Sequence, residues 1–363
     1  MDIYNCLSKN GYEVKELLSS GSYGDCLFVR NGNISRILKV YKSNDAEECR
    51  HEERVYKDLH GDGLGKDWLF TAKSCEIDGI YALEMATYEG DTLEKLLFDP
   101  KKQTTISEKL QLLIEACKTI SYMHDADKPY AHLDIKPSNF YVSTNSHLKP
   151  IDLGSAVSLE EMDEDEETLF NMAMNAIGYM STKEYASKRV RMFNELREEY
   201  RTLALEKNGH VEYLLSNEEK KELLDLVRHI GVKDDIYSLI CCVFNALTNG
   251  HAIEFWLDHD RECQSTSESL KGILEENNIP DYLIPDLIEL FSELDGPNQD
   301  CNQEVNIGSV EELIKILLEL KAGEEAEGIS EIVLRRFVQK YDEEHFSNIE
   351  IDPNLLTGVV QEE

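Results

Sequence analysis

The sequence predicts an α+β chain in two parts: a small antiparallel sheet carrying one helix, then a larger, mostly helical body. Three observations lead there. The first eighty or so residues alternate short apolar runs with turn signals. From Asp91 onward apolar residues recur at helical spacing. Asp235 to Leu247 is apolar on most sides, as a helix buried in the larger part would be.

Taken in order, Leu27-Phe28-Val29 and Ile37 to Tyr41 flank Asn31-Gly32-Asn33, which reads as two strands joined by a hairpin turn. Asn44-Asp45 offers an N-cap to a helix from Ala46 to Leu59. Gly79 to Met85 reads as a further strand. In the second part, Ser107 to His124 places Leu110, Leu113, Ile114, Cys117, Ile120 and Met123 on one helical face behind a serine cap. Between Glu184 and Lys233 lies a charged segment with helix-like stretches at Phe193 to Leu205 and Asn217 to Ile230. Ser216 and Glu219 form a capping box for the second of these. Tyr282 to Leu294, Ser309 to Leu320 and Ser330 to Tyr341 read as helices, and residues 350–363 as a short acidic tail.

Composition narrows the function classes. With 363 residues, 41% of them hydrophobic, the chain can bury a substantial core. Its formal net charge of −35 would repel phosphates, so nucleic acid is not an expected partner. The same charge suits a solvated surface and attraction to basic protein partners. No apolar run reaches the length of a membrane span; Leu239 to Leu247 is far too short. Nine cysteines without a Cys-x-x-Cys pair, and an N-terminus without a basic start or apolar stretch, point to free thiols in the cytoplasm.

The chemistry concentrates in His132-Leu133-Asp134-Ile135-Lys136-Pro137-Ser138-Asn139, followed by Ile151-Asp152-Leu153-Gly154. Together they supply two carboxylates, an amine and a carboxamide. Phosphoryl transfer needs charge neutralisation and in-line positioning more than covalent help, and these groups can provide both. Turn-forming residue types would also appear in a plain loop, but not in this order and spacing.

The spacing resembles the catalytic and metal-binding loops of the eukaryotic-type Ser/Thr protein kinases. That resemblance implies a bilobal kinase-like fold, with an N-lobe at 1–86 and a C-lobe at 87–349 that contains 184–233 as a helical insertion. It implies ATP and Mg2+ as cofactors, and a protein substrate, basic if charge guides it. By the same resemblance Asp134 orients the acceptor hydroxyl and takes its proton, Lys136 neutralises the γ-phosphate, and Asn139 and Asp152 hold magnesium. Lys39 matches the lysine that grips the α- and β-phosphates, with Glu52 or its neighbour Glu53 as its acidic partner. Leu18 to Cys26 resembles a degenerate glycine-rich loop in which Gly21 and Gly24 remain. Tyr81 to Ala86 resembles the hinge, with Leu83 as gatekeeper and the backbone of Glu84 and Ala86 pairing with adenine. Asp91 would meet the ribose, while Cys26 and Ile37 above and Tyr141 below would sandwich the base. A thiol at Cys26 would then be open to an electrophile.

Departures from the family pattern carry expectations too. Leu133 replaces the usual arginine, so no phosphate on the activation segment is required. The run Glu160 to Glu167 reads as a solvated loop or as an acidic recognition patch. Ile177 to Lys183 stands where Ala-Pro-Glu is usual, and no arginine lies between Arg261 and Arg335, so both members of the family's late ion pair are expected to be absent. Asp235, preceded by Asp234, resembles the aspartate that anchors the catalytic loop, in a manner similar to casein kinase one relatives. Rival readings are a small-molecule kinase of the aminoglycoside or choline type, a pseudokinase scaffold, and AMP transfer on the same fold. A pathogen's kinase acting in host cytosol would also suit these departures.

Overall fold

The computed structural model describes residues 3–20, 24–42, 46–61, 67–87, 90–101, 104–143, 148–160, 165–175, 181–207, 210–250, 266–294 and 300–325. Gly21, the Asn44-Asp45 cap, residues 161–164 of the acidic run, the helix expected at Ser330 to Tyr341 and the acidic tail lie outside these residues.

Helix α1 (Ile3–Lys9) leads into strands β1 (Tyr12–Ser20), β2 (Gly24–Asn31) and β3 (Ile34–Tyr41). Helix α2 (Ala46–His60) follows, then β4 (Ala72–Ile77) and β5 (Ile80–Ala86). The strands form one antiparallel sheet in the order β1-β2-β3-β5-β4. The β2–β3 hairpin turns at Asn31-Gly32-Asn33, where Gly32 takes φ +61°. Strand alternation gives the sheet two buried faces. On one, Leu27, Val29, Leu38 and Val40 pack under Cys6 and Leu7 of α1. On the other, Cys26, Ile37 and Met85 join Val55, Tyr56 and Leu59 of α2 and the main core below.

The larger part begins with β6 (Gly90–Thr92), α3 (Leu93–Phe98) and α4 (Ile106–His124). Thr105, not a serine, caps α4: its hydroxyl accepts from Glu108 N, and the Glu108 carboxylate accepts from Thr105 N. Four short strands then fix the loops that matter. Strand β7 (Tyr130–Ala131) pairs with β10 (Val157–Ser158), and β8 (Phe140–Ser143) pairs with β9 (Leu148–Pro150) and β6. Because β7 and β8 flank residues 132–139 while β9 and β10 flank 151–156, the two antiparallel pairings bring those loops side by side.

Helices α5 (Glu166–Asn175), α6 (Lys188–Thr202), α7 (Asn217–Val227), α8 (Val232–Leu247), α9 (Thr266–Glu276), α10 (Ile284–Ser292) and α11 (Val310–Glu325) complete the body. Residues 184–233 are not purely helical. Helix α6 stops at Thr202, and Ala204–Lys207 and His210–Tyr213 form a hairpin, β11–β12, where the sequence suggested a helix to Leu205. The capping box at Ser216 and Glu219 is present on α7. Residues 234–247 of α8 are all buried, as their apolar surround requires. No helix among the described residues is long and apolar enough to cross a membrane.

Phe244 of α8 is fully buried and meets Phe291 of α10 edge-to-face, with ring centroids 5.1 Å apart. Phe244→Ala should lower unfolding free energy by about 3–5 kcal/mol in denaturant titration, through lost transfer energy and the cavity left behind.

Candidate active site

Lys39 lies on β3 opposite Cys26 of β2 and Leu83 of β5, and it is almost wholly buried. A buried ammonium requires anionic partners. Its Nζ donates to Glu52 Oε2 at 2.6 Å and to Asp152 Oδ1 at 2.5 Å. Burial penalises its charge, but the carboxylates of Asp152 and Glu52 together outweigh that, so its proton is held more tightly than in an ordinary lysine. Burial also raises Glu52. Asp152 resists burial through the Lys39 ammonium and the Gly154 N–H, and stays below the usual carboxylate range. Glu53, the alternative partner, instead accepts from Ser74 N and Oγ at 3.2 and 2.8 Å.

Glu52 is also a tie between elements. It accepts the Tyr41 hydroxyl at 2.6 Å from β3 and the Leu153 N–H at 2.9 Å from the 151–156 loop. Gly154 N donates to Asp152 Oδ1 at 3.1 Å. A Cβ on Gly154 would stand 3.3–3.4 Å from Asp152 Oδ1, Lys39 Nζ and Glu52 Oε2 at once, so a side chain here would press on all three charged groups.

The second loop converges on Asp134. Its Oδ2 accepts from Lys136 Nζ and Asn139 Nδ2, both at 2.9 Å, and its backbone carbonyl accepts from Asn139 Nδ2 at 2.8 Å. Its Oδ1 accepts from the Thr182 N–H and hydroxyl, both at 2.7 Å, while Lys136 Nζ donates to Thr182 Oγ1 at 2.6 Å. Thr182 was not singled out from sequence; only folding brings it to the loop. Asp235 fixes the loop's backbone by accepting His132 N–H at 2.7 Å and Leu133 N–H at 2.8 Å. Leu133 sits at φ +60°, an uncommon place for a bulky residue, and these two bonds hold it there. His132 is buried, which lowers its basicity, and its Nδ1 accepts the Asp134 N–H at 3.3 Å. The proton of the neutral ring is thereby assigned to Nε2.

Of the residues expected around a nucleotide, Cys26, Ile37 and Tyr141 belong to one buried cluster, and Asp91 lies half-buried on β6 opposite Val142. Gly24 is needed for packing, since a Cβ there would sit 2.5 Å from Val40 O. Two expectations change. Glu84 lies in the sheet interior, facing Leu38 of β3 on one side and Lys73 of β4 on the other, so its backbone is engaged in the ladder and not open to a base. Its side chain takes Arg36 Nε at 2.8 Å and the Tyr12 hydroxyl at 2.9 Å. Pairing with β4 ends at Met85, so Ala86 is the first residue of β5 with one edge beyond that ladder. Cys26 is 2% exposed and burial pushes its thiol up to about 12, so it is no ready nucleophile.

Residues 12–193 match the protein kinase domain model. The chain belongs to the protein kinase family. Its similarity to individual members is modest. A mouse protein, serine/threonine-protein kinase TNNI3K, is 24% identical over 162 residues, 43% of this chain and 19% of that protein. Serine/threonine-protein kinase MRCK alpha of mouse is 26% identical over 162 residues, covering 9% of its own length. This chain therefore spans about a fifth or less of these relatives.

Kinases of this family use a divalent cation, and the donor chemistry here fits one. The bonds that Asp152 makes to described residues fall on Oδ1, which leaves Oδ2 as a hard oxygen donor. Asn139 spends its amide nitrogen on Asp134, which commits that end of the carboxamide and leaves the oxygen as the donor.

A different ion pair, which the sequence did not single out, joins α6 to the late lobe. Arg189, buried on α6, reaches Glu304 Oε1 at 3.1 Å and donates to the carbonyls of Cys301 and His229. The positive charge comes from beyond the activation segment and the negative one from the late lobe, the reverse of the polarity that the family resemblance implies. Part of the acidic run is a helix start: Asp165 accepts from Glu167 N and from Thr168 N and Oγ1 ahead of α5.

Three outcomes follow from this geometry. Gly154→Ala should weaken nucleotide binding by wedging the Lys39 cluster, read by calorimetric titration. Alkylation followed by mass spectrometry should leave Cys26 unmodified until the protein is denatured. Buried Asp234 has its carboxyl raised from 3.8 to about 6 by burial, against the lowering effects of Arg189 and Ser187. The folded state therefore holds that proton more tightly than the unfolded chain, and this group's stabilisation, of order 2–3 kcal/mol, is lost as pH rises through that window. Asp234→Asn should flatten that part of the stability–pH curve.

Proposed function

We propose that this protein is an ATP- and magnesium-dependent kinase that moves the γ-phosphate of ATP to serine or threonine hydroxyls of proteins. One observation carries the reading. Lys39, Glu52 and Asp152 form a single charged cluster, and the loop that supplies Asp152 is held by flanking strand pairs beside the loop of Asp134, Lys136 and Asn139. This placement supports the reading of one site with phosphate-gripping and acceptor-side groups.

In this mechanism Lys39, held by two carboxylates, presents a fixed positive charge to the α- and β-phosphates. Magnesium, held by Asn139 and Asp152 when bound, would neutralise charge on the triphosphate. Asp134 receives the acceptor's proton. Its plane is set by Lys136, Asn139 and Thr182, so the acceptor hydroxyl meets an oriented carboxylate and competes with the Thr182 hydroxyl for Oδ1. Lys136 lies beside the same oxygens and balances charge on the transferring group. The leaving ADP keeps the bridging oxygen and its electron pair. The acidity of the chain suits basic protein substrates, and the reducing-compartment cysteine pattern suits the cytoplasm.

The test is incubation with γ-labelled and with α-labelled ATP, magnesium and a basic generic protein. Label from γ alone is expected. Label from α would mean AMP transfer, and nucleotide binding without either label would mean a scaffold. Transfer only to small hydroxylated amines would mean the aminoglycoside or choline type. Asp152→Ala and chelation of the metal should each abolish transfer, and Asp134→Asn should lower kcat by roughly 10²–10⁴ with a native circular-dichroism spectrum.

A further inference from the structure

The first turn of α8 carries two adjacent aspartates that grip different segments. Asp235 takes the backbone of His132 and Leu133 and also meets His124 Nε2 at 2.8 Å. Asp234 is equally deep. Its Oδ1 accepts the Ser187 hydroxyl, its Oδ2 accepts Gly231 N–H at 2.9 Å, and Arg189 Nη1 lies 3.6 Å from Oδ2. Ser187 in turn caps α6, accepting Val190 N–H at 3.3 Å.

The stretch from Thr182 to Ser187 is short and internally bonded. Tyr185 N and Ala186 N both donate to Thr182 O, at 3.0 and 3.1 Å, and Ser238 Oγ of α8 donates to Tyr185 O at 2.8 Å. Thr182 is thus referenced to α8 through Ser187 and Tyr185, and Asp134 is referenced to α8 through Asp235. The two meet at Asp134 Oδ1.

We propose that Asp234 is a positioning residue: through Ser187 and Arg189 it sets Thr182 against Asp134, so one helix end registers both halves of the acceptor site. Its kinetic consequence rests on the phosphotransfer reading above; its geometric consequence does not. A carboxylate whose burial is only partly compensated, as its raised proton affinity shows, costs stability where it stands. Orientation of neighbours accounts for its presence better than stability does.

The experiment compares the full chain with Asp234→Asn, Ser187→Ala and Ser187→Thr by hydrogen exchange and by steady-state kinetics on a peptide acceptor. Asp234→Asn and Ser187→Ala should speed exchange across residues 181–187 roughly tenfold, while residues 131–136, held by Asp235, keep their protection. In both variants kcat should fall about tenfold or more with KM for ATP within about twofold, and Ser187→Thr should restore both readouts. Equal loosening of the two segments would reduce Asp234 to a general structural group and overturn the proposal. So would unchanged exchange, or selective loosening with unchanged kcat. If Asp234→Asn does not fold, Ser187→Ala, which leaves Arg189 and the carboxylate in place, decides alone. If the unmodified chain transfers no phosphate, the functional reading fails while the exchange arm still judges the tie.

Discussion

One buried ammonium holds the site together. Lys39 comes from the sheet, Glu52 from the helix packed on it, and Asp152 from a loop of the helical body. Neither Lys39 nor Glu52 is tolerable alone at that depth, since each would be an uncompensated charge, and the half-buried Asp152 completes the balance. Together they make the relative placement of sheet, helix and loop an electrostatic requirement. Tyr41 and the Leu153 amide satisfy the rest of Glu52, so the cluster has little freedom to rearrange. Gly154 is part of the same constraint, because a Cβ there would press on all three charged groups at once.

A second fixed point lies at the start of α8. The start of α8 is buried and its first-turn carboxylates are turned to orienting backbone, where partial positive charge at a helix N-terminus favours them. The four-strand arrangement of β7–β10 brings the two loops together, but only roughly. Hydrogen bonds accepted by Asp235 and donated by Asn139 and Thr182 fix the side chains within that region. That division of labour is general: secondary structure delivers side chains to a region, and polar contacts fix them within it.

Much of this was legible in the sequence where a local rule was strong. The Asn-Gly-Asn turn, the Ser216–Glu219 box and the apolar run of α8 each announce themselves through a few neighbouring residues. The contact of Lys39 with Asp152 was readable only through family resemblance, because no local pattern encodes contacts between residues more than a hundred positions apart. Strand β4 was hidden for a physical reason. It is an edge strand of mixed polarity, Ala-Lys-Ser-Cys-Glu-Ile, with little alternation to betray it. The Asp78-Gly79 turn that joins it to β5, with both residues at positive φ, was the available signal. Glu84 was misplaced because the hinge pattern gives order without register, and its neighbours on both sides are strands. Arg189 was not legible because the family pattern places a glutamate before an arginine, and the chain presents the two charges the other way round.

That inversion bears on how this protein can be recombined. In a relative with the usual polarity, the end of the activation segment carries the acid and the late lobe carries the base. Grafting residues 181–202 of this chain into such a host would set guanidinium against guanidinium, and the reciprocal graft would set carboxylate against Glu304 and Asp234. The two regions are therefore a matched set, to be exchanged jointly or not at all, although more than a hundred residues separate them along the chain.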